Sequence, residues 1–234
     1  AMLRRPALAW AWATLVSWTA LVIAGLILSQ VLTSGPISYW IGNWPPPWGI
    51  EYRIDTIAAF MLVLVTGIGA VVMPYARVSL AAELPADRLP WYYTMYLLCL
   101  AGLLGMTVTG DAFNVFVFME IASLSSYVLI AMGPNRRALV AAYQYLILGT
   151  IGATFYIIGV GFLYLMTGTL NIADLAERLA LRDHKVSVIY PVAASMPKER
   201  DTLNGVERLR YQDAAGMFFA NWNTENRNVR ALWL

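Results

Sequence analysis

The sequence predicts an all-α, polytopic transmembrane helix bundle of about five spans, followed by a short soluble tail. Composition carries the first part of that reading. Of 234 residues, 59% are hydrophobic and 13% are charged, whereas an ordinary soluble domain carries about 25% charged residues. Placement carries the second part. Residues 1–180 hold 16 of the 30 Asp, Glu, Lys and Arg, and residues 181–234 hold the other 14. A soluble enzyme is excluded for 1–180 and a uniform membrane protein for the whole, so the chain divides into a membrane region, 1–180, and a polar tail, 181–234.

The spans follow in order. Five apolar stretches reach the roughly 20 residues that a helix needs to cross a bilayer: 7–33, 54–76, 91–109, 112–132 and 139–166. The first follows Arg4 and Arg5 as a signal peptide would. Its uncharged run is far longer than a signal h-region of about 7–15 residues, so it is a span. Helix is the reading because a lone strand in lipid leaves its backbone unsatisfied, and the runs lack the alternation of a membrane barrel.

Between the first two spans, Pro45, Pro46 and Pro47 separate two β-prone runs, 37–41 and 50–54. These are expected to form a small hairpin. After the fifth span, Ile172, Leu175, Ala176 and Leu179 repeat at helical spacing behind Asn171. That pattern predicts a short amphipathic helix at the membrane surface with Asn171 as its cap. In the tail, the one expected element is a helix near 201–212.

Loop charge sets the orientation. Arg4, Arg5, Arg77, Arg88, Arg136 and Arg137 fall at one side and only Arg53 at the other. The N-terminus is therefore expected in the cytoplasm. Trp10, Trp12 and Trp91 then lie at the inner edge, and Trp40, Trp44 and Trp48 at the outer one, as an aromatic belt.

Glu120 is the foremost candidate for chemistry, since a charge near the centre of a span costs about 2.5–3.5 kcal/mol on insertion scales. Helical spacing puts Ser123 and Tyr127 on its face, where their hydroxyls can hold water beside the carboxyl. It is either a proton carrier or a protonated acid that joins two helices by a hydrogen bond. Asp111 and Asp55 each precede a span and read as helix caps before transport groups, with Glu51 and Arg53 as surface partners of Asp55. Gln144, Thr150 and Thr154 either line a hydrated path or pack against a neighbouring helix. Gly149, Gly152, Gly159 and Gly161 are expected to permit close helix packing.

Other chemistries find no support. His184 is the sole histidine and Cys99 the sole cysteine, so no metal, haem or iron–sulfur ligand set is expected. Phosphate-binding and nucleophile-elbow motifs are missing. A net charge of +2 without a basic cluster does not suggest a nucleic-acid partner. No cofactor is expected.

The run Thr109-Gly110-Asp111-Ala112-Phe113-Asn114-Val115-Phe116-Val117-Phe118-Met119-Glu120 resembles the signature of the D-type subunits of Mrp-type multisubunit cation/proton antiporters. Further matching runs are Gly49 to Asp55, Ser125 to Ile130, Ala142 to Leu146 and Gly168 to Asn171. The resemblance covers about residues 3–180, and its superfamily includes membrane-arm subunits of respiratory complex I. It implies a bundle of about fourteen helices with two inverted five-helix repeats, of which residues 7–166 supply helices two to six, a partial repeat. It also implies that Glu120 exchanges protons beside a lysine on a later helix, within an inner-membrane assembly of antiporter subunits moving protons against a monovalent cation, sodium first. The alternatives are a complex I-type proton-pumping subunit and a remnant that only packs against partners.

The chain departs from that family by having no lysine before Lys185. Some complex I relatives carry a lysine about where Gln144 stands, and a glutamine there mildly favours the antiporter branch. The chain is therefore expected to be a fragment with a frameshifted or misjoined tail. Reading the codons around Leu181 in the other two frames checks this: the expected outcome is an apolar continuation bearing lysines.

Overall fold

The computed structural model describes residues 5–181 and three strands at 187–191, 200–203 and 206–211; for those strands only the backbone pairing is described. The helices are α1 (Pro6–Ser34), α2 (Thr56–Glu83), α3 (Leu89–Val108), α4 (Ala112–Ala131), α5 (Arg136–Thr167) and α6 (Ile172–Ala180). The first five are each long and apolar enough to span a bilayer. The described region is a multi-pass membrane segment.

Boundaries match the sequence reading within three residues except at the end of α2. That helix runs through Pro74 to Glu83, seven residues past the expected stop. A proline removes one helical hydrogen bond without ending a helix whose neighbours hold it. Here the Trp10 indole N–H donates to the Met73 carbonyl at 3.0 Å, and the Arg77 guanidinium lies over the Trp10 ring, 4.6 Å from its centre. Around them a small core gathers Ala13, Met73, Ala76, Leu84, Leu89 and Tyr93 at the α2–α3 turn.

The connection from α1 to α2 is the expected hairpin, β1 (Ile37–Trp40) against β2 (Glu51–Ile54). It is antiparallel, with Ile37 opposite Ile54 and Trp40 opposite Glu51. Trp44 and Trp48, on the connection, are highly exposed.

Helix packing depends on small residues. With lipid on the outside, helices gain little from hiding apolar surface and associate through close contact and hydrogen bonds. A Cβ on Gly102 would stand 2.6 Å from the Ala122 amide nitrogen, and one on Gly105 would strike the Phe118 ring. So α3 and α4 meet with almost nothing between their backbones. Gly149 receives the Tyr127 hydroxyl in the same way, which joins α4 to α5. The expectation fails for Gly152, Gly159 and Gly161, which have nothing within 4 Å of a built Cβ among the described residues.

The tail differs from expectation. Of residues 201–212, expected as helix, 201–203 belong instead to β4 (Arg200–Leu203) and 206–211 to β5 (Val206–Tyr211), with 204, 205 and 212 outside the described residues. Strand β5 also pairs in parallel with β3 (Ser187–Pro191), giving the order β3-β5-β4. Leu203, Val206 and Leu209 stand three apart, which mimics helical spacing.

Substitutions check the packing. Gly102→Val is expected to lower the thermal midpoint of the chain in detergent, since overpacking costs about 1–3 kcal/mol. Gly152→Ala, with open space around it, is expected to hold or raise that midpoint, because alanine favours helix over glycine by up to about 1 kcal/mol.

Candidate functional site

Glu120 lies eight residues into α4, about 12 Å from its start at 1.5 Å per residue. Phe118 and Ala122 face α3, and each stands two residues from Glu120, about 200° around the helix. The carboxyl is therefore turned away from α3. Tyr127, seven residues on, returns to within about 20° of the same face. That face meets α5, where Tyr127 stacks edge-on with Tyr145 at 5.1 Å between ring centres. Glu120 and Ser123 are both partly buried. No other described residue hydrogen-bonds to the side chain of either, and Glu120 forms no ion pair among the described residues. The carboxyl is thus held mid-helix with its acceptor capacity unspent.

The structure brings Glu120, Ser123 and Tyr127 to one side of α4, and does not bring Gln144, Thr150 and Thr154 to join them. Gln144 is exposed and shares a shallow surface groove with Arg136, Arg137, Val140 and Ala141. The Thr150 hydroxyl donates to the Leu146 carbonyl and that of Thr154 to the Thr150 carbonyl, both at 2.7 Å and both exposed. A path along these three has no continuity within the described bundle. They occupy the faces of α5 that point away from α4.

The opposite arrangement holds at the end where α3 leads into α4 and α5 into α6. There the polar side chains are packed together and satisfied. Asp111 accepts from the Asn114 amide at 2.8 Å, Asn171 from the Ala173 and Asp174 amides at 3.1 Å, and Asp55 from the Ala58 amide at 2.8 Å. Each satisfies orphan donors at a helix start. Asp111 and Asn171 also face each other in an antiparallel bridge: Ala112 donates to the Leu170 carbonyl and Ile172 to that of Gly110, both at 2.9 Å.

Glu51 closes this junction from the hairpin. Its carboxylate accepts from the Ser38 hydroxyl at 2.6 Å and from the Asn171 amide group at 3.0 Å. Its carbonyl accepts from the Gly110 amide at 2.8 Å. Sequence reasoning assigned Glu51 to Asp55 and missed this role. The overlooked signal is a repeated pattern, Thr109-Gly110-Asp111 and Thr169-Leu170-Asn171. In both, the Thr hydroxyl accepts from the amide two residues on, at 3.4 and 3.3 Å. Thr109, Asp111, Thr169 and Asn171 are all buried. Burial pushes the Asp111 carboxyl above the ordinary aspartate range, against the Asn114 and Phe113 amides that favour its charge.

Comparison with known proteins places this geometry. Residues 109–193 match the transmembrane family described as NADH:quinone oxidoreductase/Mrp antiporter. From Thr109 onward the membrane region is therefore similar to that family. The match begins at the Thr109 motif and takes in α4, α5, α6 and strand β3. The N-type subunit of the NADH-quinone oxidoreductase of Desulforudis audaxviator is 47% identical over 173 residues, 73% of this chain and 34% of that protein. The D-type subunit of the Na(+)/H(+) antiporter of Bacillus subtilis is 34% identical over 167 residues, 71% of this chain and 33% of its own length. The solved Mrp complex from Dietzia sp. includes a chain that superposes with a TM-score of 0.66 at 28% identity, covering 74% of this chain and 32% of that one. The chain spans about a third of the length of the relatives it matches.

Alanine at position 171 tests the junction. Asn171→Ala removes the cap on α6 and the partner of Glu51, an expected loss of about 1–2 kcal/mol. Hydrogen exchange at the Gly110 and Ile172 amides is expected to speed up together, while exchange in the α2–α3 core stays as it was.

Proposed function

We propose that the chain is a membrane subunit of a multisubunit monovalent cation/proton antiporter, in which Glu120 takes up and releases the transported proton. The observation that supports this is a carboxyl near the middle of an apolar span with no hydrogen bond or ion pair among the described residues. An ionisable group in that position is a functional candidate by default, because its insertion is costly unless something uses it. Tyr127 and Ser123 on the same face supply hydroxyls for water beside it. Subunits of the same assembly are the expected partners, and sodium is the first cation to test. The orientation proposed has the N-terminus of α1 in the cytoplasm of a bacterial inner membrane, with the hairpin and α6 outside.

A second reading has specific support. The 47% identity with a quinone oxidoreductase subunit favours a redox-linked proton pump, against 34% for the antiporter relative. Both readings give Glu120 the same task and differ in what drives the proton. Residues 181–234 are proposed as a unit apart from the membrane region.

Flux through vesicles holding the assembled complex tests both. Glu120→Gln is expected to reduce proton flux at least tenfold while the complex still assembles; undiminished flux would remove Glu120 from the mechanism. Dependence of wild-type flux on a sodium gradient supports the antiporter, and dependence on quinone reduction supports the redox pump.

A further inference from the structure

A buried carboxyl stands at the start of α4, where an uncharged side chain can make the same capping bonds. Asp111 and Asn171 occupy equivalent places in two units of the same design, Thr-x-Asp and Thr-x-Asn, which pair with each other across one antiparallel bridge. Each accepts amide hydrogen bonds at the start of a helix, and each backbone amide donates to its own threonine hydroxyl. Asn171 does this with a neutral amide. The same fold geometry is thus met without ionisation, at a site scarcely more buried: 3% exposed for Asn171 and 7% for Asp111. An ionised carboxylate in such a place carries a desolvation cost that asparagine avoids.

We infer that Asp111 is a second proton-exchanging carboxyl, at the end of α4 that the hairpin and α6 cover, about 13 Å along the helix from Glu120. The inference deepens the proton-carrier reading of Glu120 and is tested separately from it.

The groups around Asp111 bear on its titration from every side. On β2, Glu51 and Arg53 flank Gly110, whose built Cβ would lie 3.3 Å from the Glu51 carbonyl oxygen and 3.6 Å from the Arg53 Cβ. On α5, the Tyr156 hydroxyl donates to the carbonyl of Ala112, the next residue, at 2.9 Å. On α6, Asp174 is paired with Arg178 at 3.0 Å, so their charges offset each other. None of these pairs with the Asp111 carboxyl among the described residues. Desolvation dominates and lifts its proton affinity. With the folded-state pKa above the unfolded value, the protonated form is the one the fold favours. The stabilisation is fully present below the unfolded pKa and is lost as pH rises through the folded one.

The experiment uses the full chain in lipid vesicles, with two readouts on wild type, Asp111→Asn and Glu120→Gln. Infrared difference spectra between acid and neutral pH report protonated carboxyl bands. Asp111→Asn is expected to delete one titrating band that Glu120→Gln leaves in place. Thermal midpoints report the fold. Asp111→Asn is expected to match or exceed wild type at pH 7, with the difference shrinking as pH falls. If every titrating band survives in Asp111→Asn, Asp111 does not exchange protons and the inference fails. A lower midpoint at pH 7, or failure to fold, also overturns it, because the charge would then be needed for the cap. Failure of the Glu120 reading shows in the other variant: Glu120→Gln would then delete no titrating band, that of Asp111 included.

Discussion

In a bilayer, the ends of helices decide the fold, because their free amides and carbonyls find no water unless they reach the surface. Here the decisive contact is the bridge between residues 110–112 and 170–172, with Glu51 fastened across it. It satisfies the starts of α4 and α6 together and ties the hairpin to both. Three chain reversals far apart in sequence thus share one set of hydrogen bonds. The position of α4, and with it the depth of Glu120, follows from this knot.

The other end of the bundle is held differently. There the Trp10 indole, the Met73 carbonyl beside Pro74 and the Arg77 guanidinium form a clasp over an apolar cluster. Between the two ends, hydroxyls such as those of Ser17 and Thr66 bond to carbonyls of their own helices, at 2.8 and 2.6 Å. These bonds satisfy hydroxyls buried inside the bundle, and that of Ser17 also reaches the Tyr96 hydroxyl on α3, at 3.4 Å. Glycine and alanine add to the specificity in the middle of the bundle, because they let backbones and rings approach.

The spans were legible because length and apolarity alone define a membrane helix, and the hairpin because prolines separate two β-prone runs. The candidate carboxyl Glu120 stood out for the same reason: a charge is conspicuous where none belongs. The junction was less legible. That Asn171 would cap a helix is written locally, but its bond to Glu51, 120 residues earlier, depends on how three loops meet. The strands at 201–203 and 206–211 were not legible, because three-residue apolar spacing fits a helix as readily as paired strands. On α5, Gln144, Thr150 and Thr154 looked like one polar stripe in the sequence. The structure turns them away from α4, since that side is taken by Tyr145, Gly149 and Tyr156.

The contact between α3 and α4 also bears on movement. Where Gly102 and Gly105 lie against Ala122 and Phe118, the two helices interlock like paired rails, and neither can slide or roll without a steric clash. Tyr127 against Tyr145 is a different joint: an aromatic edge on an aromatic face tolerates small rotations with little loss of contact. Any motion that changes what Glu120 touches would therefore carry α3 with it, and on the α5 side it would have to release Tyr127 from Gly149 and Tyr156 from the Ala112 carbonyl.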